Sequence, residues 1–252
     1  MSRRNTREIL YGRRTVGEIM KCRPVITRLL VASGIHKSTV EDILRSARKR
    51  NIPVEEVSRK DMSHVCETTS HQGVAIEAEV RPFLDFRLFQ ARLAEDSTVP
   101  LVLLLDGVTD PRNLGAILRT AEAATVDAVI IPRRRSSSLT PVVHKVASGA
   151  CEYLTLVLSG SPAATIELLK KAGLWIIGLD PGGKKLHTEE DYTVPSVLVL
   201  GSEGKGLSAL VRKRCDILVK LPMLGRVASL NVSVAAGVIL YETVRQKMLI
   251  RK

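Results

Sequence analysis

Leu101-Val102-Leu103-Leu104-Leu105-Asp106-Gly107 is an uninterrupted apolar run that ends in a turn signal. Such a run is typical of a strand buried on both faces of a parallel sheet. Further strand candidates follow at 128–131, 174–179 and 197–200. Helical patterns lie between the candidate strands, at 114–124, 140–149 and 162–172. Strands that alternate with helices predict an α/β fold with a mostly parallel sheet covered by helices on both faces.

The first eighty residues carry a second, smaller α/β pattern. Apolar and alternating runs predict strands at 26–32, 53–57 and 73–79. Ser38, with Glu41 three residues later, predicts a capped helix that continues to Arg50. These elements together indicate a small domain of its own.

The stretch from 82 to 99 separates the two patterns. It mixes proline, charged residues and scattered apolar residues, and we interpret it as a connector with a short helix at 85–94. We therefore expect a small domain, a linker and a larger domain, at 1–82, 83–99 and 100–252.

The chain has 252 residues and a net charge of +12, which favours a polyanionic partner. Residues 1–82 hold 16 basic and 10 acidic side chains, and the remainder holds 22 and 16, so each part carries +6. Aromatic residues make up only 3%, too few for a base-stacking sheet. A nucleic acid would therefore be held by its phosphates and its shape. The alternative is a basic surface that serves solubility.

Compartment and cofactor class follow from what the sequence lacks. No apolar run approaches the roughly 18 residues that span a bilayer, and the basic start leads into no long apolar segment, which argues against a secretory signal. The four cysteines are far apart and form no C-x-x-C pair, so we predict neither a disulfide framework nor a metal site. We expect a cytoplasmic protein.

Polar residues follow the first buried strand at the place where a parallel sheet binds its ligands. Asn113 stands near the start of the next helix and could cap it. Arg119 lies six residues later, on roughly the same side of the helix within a broad arc. An amide and a guanidinium beside a strand end can bind a phosphate or a hydroxyl, so capping and function both stay open for Asn113.

A glycine-rich loop, Gly201-Ser202-Glu203-Gly204-Lys205-Gly206, follows another predicted buried strand. It matches neither a P-loop, which requires Ser or Thr after Gly-Lys, nor the G-x-G-x-x-G dinucleotide fingerprint. Its glycines let backbone approach a ligand closely, and Glu203 places one carboxylate in the loop. The alternative is a tight turn into the next helix.

The last polar cluster lies near the end of the chain. Ser229 is the predicted cap of a final helix that continues to Gln246. Asn231 and Ser233 are polar positions in a segment that is otherwise small and apolar, which indicates a packed polar cluster or a ligand. The small residues at 235–237 would also permit close helix packing, as in a subunit interface.

Three sequence sets carry a family resemblance: Asn113-Leu-Gly-x-Ile-x-Arg119-Thr-Ala, Leu200-Gly-Ser-Glu203-Gly-x-Gly and Leu221-Pro-Met-x-Gly-x-x-x-Ser229-Leu-Asn231-Val-Ser. In this order they resemble the motifs of the SpoU branch of the SPOUT RNA methyltransferases. The first eighty residues, with His71-Gln72-Gly73 before a strand, resemble that family's small ribosomal-protein-like RNA-binding domain. The similarity covers nearly the whole chain. It is greatest to bacterial enzymes that methylate a guanosine 2′-hydroxyl in large-subunit ribosomal RNA.

The resemblance implies a more specific fold and site. It implies a parallel sheet whose C-terminal segment forms a deep trefoil knot, S-adenosylmethionine bound in that knot, and a homodimer whose active sites use residues from both subunits. The catalytic residues that it implies are Asn113, Arg119, Glu203, Ser229 and Asn231. The cofactor-binding residues that it implies are Gly201, Leu221, Met223, Gly225 and Leu230.

The resemblance assigns Arg119 to the reacting hydroxyl. A guanidinium holds its proton too firmly to be a ready base, so a clamp on the adjacent phosphate that stabilises a developing alkoxide is the alternative. Asn113 is expected to orient Arg119 or the ribose, and Glu203 to hold the geometry of the site through hydrogen bonds.

The leading hypothesis is therefore 2′-O-methylation of a ribose, that of a guanosine, in 23S ribosomal RNA. The same chemistry on transfer RNA or at an antibiotic-resistance site is one alternative, and a non-catalytic RNA-binding or assembly factor is another. Neither a membrane nor DNA is an expected partner. Secondary candidates for RNA contact are Arg226, the run 133–138 and His71, with a solvated loop and a structural histidine as alternatives for the last two. His144 is predicted on a helix surface.

Overall fold

The computed structural model describes residues 7–95 and 100–250. The chain divides into two compact units. The first holds the described residues up to Pro82 together with Leu139–Tyr153, and the second holds Phe83–Ser138 and the described residues from Leu154 onwards. The first unit thus includes a segment from the middle of the chain, which no sequence pattern indicated.

The first unit is built on a four-stranded sheet. Its elements are β1 (Arg7–Tyr11), α1 (Arg13–Cys22), β2 (Ile26–Ala32), α2 (Glu41–Lys49), β3 (Val54–Val57), α3 (Arg59–Val65), β4 (Val74–Glu79) and, from the later segment, α6 (Pro141–Ala147). The strand order is β1-β4-β2-β3. Strands β1 and β2 run antiparallel to β4, and β3 runs parallel to β2.

Alternation along β4 explains how this sheet is covered on both faces. Val74 and Ile76 belong to one apolar cluster, with Ile19 of α1 and Ile43 of α2. Ala75, between them, belongs to the other cluster, which includes Met62 of α3. Successive side chains of a strand point to opposite faces, so one strand supplies both cores.

The predicted cap of the second helix is wrong. Lys37–Thr39 form a short 3-10 turn, α2 begins at Glu41, and Val40 occupies the capping position without a side-chain hydrogen bond. Ser38 is absorbed in the 3-10 turn and therefore stands too early to cap the helix.

The prediction for His144 is also wrong, because this residue is buried and not on a helix surface. Helix α6 packs on β1 and α1 of the first unit, which encloses the imidazole. Burial lowers the pKa of His144 to about 4, although Glu152 lies 3.7 Å from its Nδ1 and opposes that shift.

A buried arginine ties the later segment to the rest of the first unit. Arg23 is 6% exposed and donates to both carboxylate oxygens of Glu152, at 3.0 and 2.9 Å. It also donates to Glu8, at 2.8 Å, and to the carbonyl oxygen of Glu79, at 2.7 Å. A buried guanidinium needs this full set of acceptors, because an unpaired buried charge is strongly destabilising.

The second unit is built on an eight-stranded sheet. Its strands are β5 (Leu84–Asp85), β6 (Leu101–Asp106), β7 (Ala128–Pro132), β8 (Thr155–Ser159), β9 (Trp175–Leu179), β10 (Lys185–Leu186), β11 (Ser196–Gly201) and β12 (Ile217–Lys220). Its helices are α4 (Phe86–Glu95), α5 (Pro111–Ala123), α7 (Pro162–Lys171), α8 (Ala209–Arg214) and α9 (Val232–Ile250). The order is β10-β12-β9-β11-β6-β7-β8-β5, and all neighbouring pairs among the described strands are parallel.

The predicted α/β fold with a parallel sheet is confirmed, and its centre is the run from which the prediction began. All five residues of 101–105 are almost completely buried in β6, which lies between β11 and β7. The predicted connector differs from the expectation: β5 pairs with β8, and Phe86 and Phe89 of α4 pack in the core of the second unit. Residues 96–99 of that connector lie outside the described residues.

No helix in the described parts of the chain is long and apolar enough to cross a membrane.

Candidate active site

Three neighbouring strands of the second unit end at one edge of the sheet. Strand β11 lies between β6 and β9, with Leu200 in register with Leu105 on one side and with Leu179 on the other. The loops that follow these parallel strands therefore begin side by side, where α/β sheets bind their ligands.

The glycine-rich loop after β11 folds back on itself. Ser202 and Gly206 exchange two backbone hydrogen bonds, at 2.9 and 3.0 Å. Gly204 and Gly206 have φ angles of +75° and +64°, which favour glycine. A β-carbon on Gly201 would collide with the backbone of Gly206, so only glycine fits there.

One polar residue from each of the three motifs takes part in a hydrogen-bonded cluster, which we call the amide–carboxylate cluster: Asn113, Glu203 and Asn231. The side-chain amide of Asn113 donates to Glu203 Oε1. Asn231 Nδ2 lies 2.9 Å from the same oxygen and 3.0 Å from Asn113 Oδ1. One carboxylate oxygen thus receives two amide donors, which fixes the start of α5, the glycine-rich loop and the start of α9 relative to one another.

The helix starts differ from the predictions, and the differences explain the cluster. Asp110 caps α5 by accepting from the backbone N–H of Arg112, at 2.8 Å, so Asn113 is not the cap and its amide is free for Glu203. The predicted cap of the last helix at Ser229 is also wrong: α9 begins at Val232 and continues to Ile250. Asn231 Oδ1 accepts from the backbone N–H of Ser233, at 2.9 Å, and so occupies the capping role.

Beside the cluster lies an open cavity of about 290 Å³, close to the lower end of the usual range for small-molecule sites. Its wall contains six of the predicted residues: Gly201, Glu203, Leu221, Met223, Ser229 and Leu230. Gly225 does not line the cavity among the described residues, and neither do Asn113, Arg119 and Asn231. Asn113 and Asn231 reach the wall through Glu203.

The sequence interpretation missed the part of the wall that follows β9. Leu179, Asp180 and Pro181 line the cavity, and so does Arg212 of α8. The available signal was the predicted strand at 174–179, whose end marks the same edge of the sheet. Asp180 is 1% exposed, accepts from the backbone N–H of Gly182 at 2.9 Å, and pairs with Arg212 at 2.7 Å.

Arg119 stands apart from the cluster. Its side chain is exposed, whereas Asn113 on the same helix is buried, so the two do not share one side. Six residues turn a helix by about 600°, which leaves them roughly 120° apart. Within residues 7–95 and 100–250, the Arg119 guanidinium forms no hydrogen bond and no ion pair. It is therefore available to an anion from outside the described chain.

The cavity fits S-adenosylmethionine chemically. Leu221, Met223 and Leu230 offer apolar surface to an adenine, and the closed glycine-rich loop offers backbone groups. The exposed guanidinium of Arg212, held by the buried Asp180, matches the carboxylate charge of a methionine moiety. No group of His, Cys, Asp and Glu side chains among the described residues could hold a metal ion.

Histidine 71 has a local structural role within the first unit. Its Nδ1 accepts from the backbone N–H of Gly73, at 3.0 Å, and its Nε2 lies 3.1 Å from Ser63 Oγ. The ring is 4% exposed, and burial lowers its pKa. Of the two interpretations of this residue, the structural histidine agrees with these contacts.

Comparison with known proteins agrees with this geometry. Residues 100–241 match the model of the SpoU rRNA Methylase family, and residues 9–83 match a model described as RNA 2′-O ribose methyltransferase substrate binding. The chain is 42% identical to the 23S rRNA (guanosine-2′-O-)-methyltransferase RlmB of Pseudomonas putida over 245 residues, which cover 97% of this chain and 98% of that protein.

Solved structures show the same fold. The SpoU methyltransferase AviRb from Streptomyces viridochromogenes, in complex with the cofactor AdoMet, aligns with a TM-score of 0.79 and 25% identity over 98% of this chain and 95% of that one. A structure described as an RNA 2′-O ribose methyltransferase aligns with a TM-score of 0.77 and 25% identity, covering 96% of this chain and 90% of that one. The chain belongs to the SpoU rRNA Methylase family.

Proposed function

We propose that the protein methylates the 2′-hydroxyl of a guanosine in 23S ribosomal RNA, with S-adenosylmethionine as methyl donor. The observation that carries this proposal is the amide–carboxylate cluster beside the cavity, built from three motifs in a chain of the SpoU family. The relative from Pseudomonas putida is named a 23S rRNA (guanosine-2′-O-)-methyltransferase, which supports a guanosine in 23S ribosomal RNA as the substrate. The AdoMet complex of AviRb supports the cofactor.

Arg119 is the proposed catalytic residue. The cofactor supplies a methyl group on a sulfonium, so the protein mainly has to align the attacking oxygen and assist the loss of its proton. Arg119 is exposed and unpaired within the described chain, which suits a guanidinium that binds the substrate. It would hold the phosphate next to the ribose and stabilise negative charge on the 2′-oxygen.

The amide–carboxylate cluster is the proposed scaffold of the site. Asn113 and Asn231 both donate to Glu203, so this carboxylate is occupied in holding the loops and is a poor candidate for a general base. Ser229 lines the cavity and is exposed, and we assign it to the substrate side of the pocket. The cluster thus keeps the cavity and the start of α5 in one geometry.

We assign cofactor contact to the cavity wall: Gly201, Leu221, Met223 and Leu230, with Asp180 and Arg212 added by the structure. The family resemblance alone supports Gly225 as a cofactor contact, because Gly225 does not line the cavity among the described residues.

We also propose that the segment carrying these loops forms a deep trefoil knot. A chain circularised through its termini and then denatured would migrate faster in a gel than an unknotted circle, and equal mobility would refute the knot.

The first unit is the proposed binding domain for ribosomal RNA. Residues 9–83 match the substrate-binding model, and residues 1–82 carry a net charge of +6. We expect affinity for ribosomal RNA to fall steeply with added salt, because released counterions supply much of the binding free energy. A salt-independent affinity would contradict this assignment. Ribosomal RNA as substrate also leads us to propose the cytoplasm as the place of action.

A second copy of the chain is the proposed partner of α9. Exposed apolar side chains follow this helix at helical spacing: Val234, Val238, Tyr241 and Met248. A contiguous row of exposed apolar side chains is typical of a subunit interface. Val238→Glu is expected to convert a dimer to a monomer in light scattering after gel filtration. Val54→Glu, an equally exposed valine in β3, is the matched control, and a monomeric wild-type protein would refute the dimer.

The proposed function is tested by methyl transfer from labelled S-adenosylmethionine to purified ribosomal and transfer RNA. We expect label in 23S RNA, and digestion to nucleosides should place it on the 2′-oxygen of one guanosine. Arg119→Ala is expected to abolish incorporation, whereas Lys171→Gln, at the far end of α7, should leave it unchanged. Label only in transfer RNA, label on a base, or no label in either RNA would each overturn the proposal.

A further inference from the structure

Three consecutive arginines follow β7 at the same edge of the sheet as the candidate active site. We call Arg133-Arg134-Arg135-Ser136-Ser137-Ser138 the arginine loop. Strand β7 is the parallel neighbour of β6, whose end leads into the loop before α5 and Arg119. The backbone N–H of Ser137 donates to the carbonyl oxygen of Val108, at 2.9 Å, and so joins the two loops directly.

The backbone of the arginine loop is held firmly. The backbone N–H of Arg133 donates to the carbonyl oxygen of Ser159, at 2.9 Å, and the Ser136 hydroxyl donates to the carbonyl oxygen of Pro132. Ser137 is buried. Arg135 has a φ angle of +57°, in the left-handed region that costs energy for a residue with a β-carbon. The surrounding hydrogen bonds hold this conformation in place.

The side chains of the arginine loop, in contrast, are left without partners. Arg134 and Arg135 are exposed and form no hydrogen bond or ion pair with any residue in the two described stretches of the chain. Arg112, at the start of α5, is exposed and equally unpaired within those stretches. Among the residues that the structure describes, Arg133 alone of these arginines forms an ion pair, with Asp85 at 4.0 Å. The fold thus orders the backbone here but does not use the guanidinium groups.

We propose that the arginine loop binds phosphates of the substrate RNA close to the reacting nucleotide, and that Arg134 and Arg135 supply these contacts. This inference rests on the proposed function, because it adds an RNA contact in the second unit. A planar guanidinium matches a phosphate with two parallel hydrogen bonds. Phosphate contacts set the register of a nucleic acid without reading its sequence. The arginine loop would therefore position the target nucleotide relative to Arg119.

The test compares RNA and cofactor binding in the full-length protein. Arg134→Gln/Arg135→Gln is expected to weaken binding to large-subunit ribosomal RNA by about tenfold, which corresponds to about 1.4 kcal/mol. The slope of log Kd against log salt should fall by about 1 to 2, one phosphate contact for each arginine. Affinity for S-adenosylmethionine, measured by calorimetry, should not change.

Two further variants separate binding from folding. Arg92→Gln/Lys171→Gln removes the same charge from two exposed side chains in the last turns of α4 and α7, at the opposite edge of the sheet, and should retain wild-type RNA affinity and salt slope. Arg135→Gly removes both a guanidinium and the backbone strain. It should therefore weaken RNA binding while the melting temperature stays equal or rises.

Unchanged RNA affinity and salt slope in Arg134→Gln/Arg135→Gln would overturn the inference. A loss of S-adenosylmethionine affinity in that variant would also overturn it, because the loop would then be structural. The binding assay does not depend on catalysis. If the wild-type protein transfers no methyl group but Arg134→Gln/Arg135→Gln binds RNA weakly, the proposed function is refuted and the role of the arginine loop is retained. If wild-type protein methylates RNA and the variants bind normally, the arginine loop fails alone.

Discussion

Replacing Asn231 with aspartate is the sharpest test of the amide–carboxylate cluster. Asn231 Nδ2 lies 2.9 Å from Glu203 Oε1 and 3.0 Å from Asn113 Oδ1. Aspartate has nearly the same shape, so a carboxylate oxygen would face Glu203 where an amide donor now stands. Two unit charges at that distance repel by about 1.4 kcal/mol at the dielectric constant of water and by about 6 kcal/mol at an effective value of 20. Since the side chains at 231 and 203 are both exposed, we expect their repulsion to lower the free energy of unfolding by about 2 kcal/mol.

The two lost hydrogen bonds, one of them to a charged acceptor, add about 2 kcal/mol. The expected loss is therefore about 4 kcal/mol in the free energy of unfolding, measured in urea at pH 7.5. Asn231→Ser is the control: its hydroxyl still caps α9 and adds no charge, so it should lose only about 2 kcal/mol. Methyl transfer to 23S RNA should decrease in the same order, wild type, serine, aspartate.

The pH dependence separates repulsion from simple loss of a contact. Close carboxylates raise the pKa of one member of the pair above its value in the unfolded chain. The folded aspartate variant therefore takes up a proton as the pH falls, and its deficit against Asn231→Ser should shrink from pH 7.5 to pH 5. An aspartate variant as stable as the serine variant at pH 7.5, or a deficit independent of pH, would refute the reasoning.

Three further predictions concern separate features of the chain. Arg119→Ala should leave the free energy of unfolding within about 0.5 kcal/mol of wild type, because the Arg119 side chain is exposed and unpaired in the described residues. The same variant should lower methyl transfer by about 100-fold or more. Near-normal methyl transfer by Arg119→Lys would exclude a bidentate role for the guanidinium. Gly201→Ala should weaken S-adenosylmethionine binding at least tenfold in calorimetry, because its β-carbon collides with Gly206, and normal affinity would mean that the loop can shift. Burial lowers the pKa of His144 to about 4 from its ordinary value near 6.5, so the unfolded chain binds a proton here at a higher pH than the folded protein does. The free energy of unfolding should therefore decrease by about 3 kcal/mol as the pH falls from above 6.5 to 4. In urea titrations His144→Gln should show a smaller acid loss than wild type, and an equal loss would contradict that origin.

The local sequence determined the main strands and the three motifs that follow them. A continuous apolar run such as 101–105, followed by a turn signal, is typical of a strand buried on both faces of a sheet, and the observed strand includes all five residues. The strand at 26–32 was predicted at its observed bounds. Motifs of fixed spacing, Gly201 to Gly206 among them, also carried the family resemblance, because each motif is one short continuous segment of the chain. Short elements such as β1 and β12 were missed, since four or five residues of mixed polarity carry no distinct period.

Tertiary structure decided which polar atoms meet. Asn113 looked like a cap in the sequence, but Asp110 caps α5, and this frees the amide for a carboxylate 90 residues away. The Asp180–Arg212 pair joins two separate loops and has no local pattern. His144 looked exposed until the first unit enclosed α6. Hydrophobic period and turn chemistry act over a few residues, and so the sequence itself determined the elements and motifs. The pairing of charges and amides depends on atoms brought together from distant parts of the chain, which only the folded structure decides.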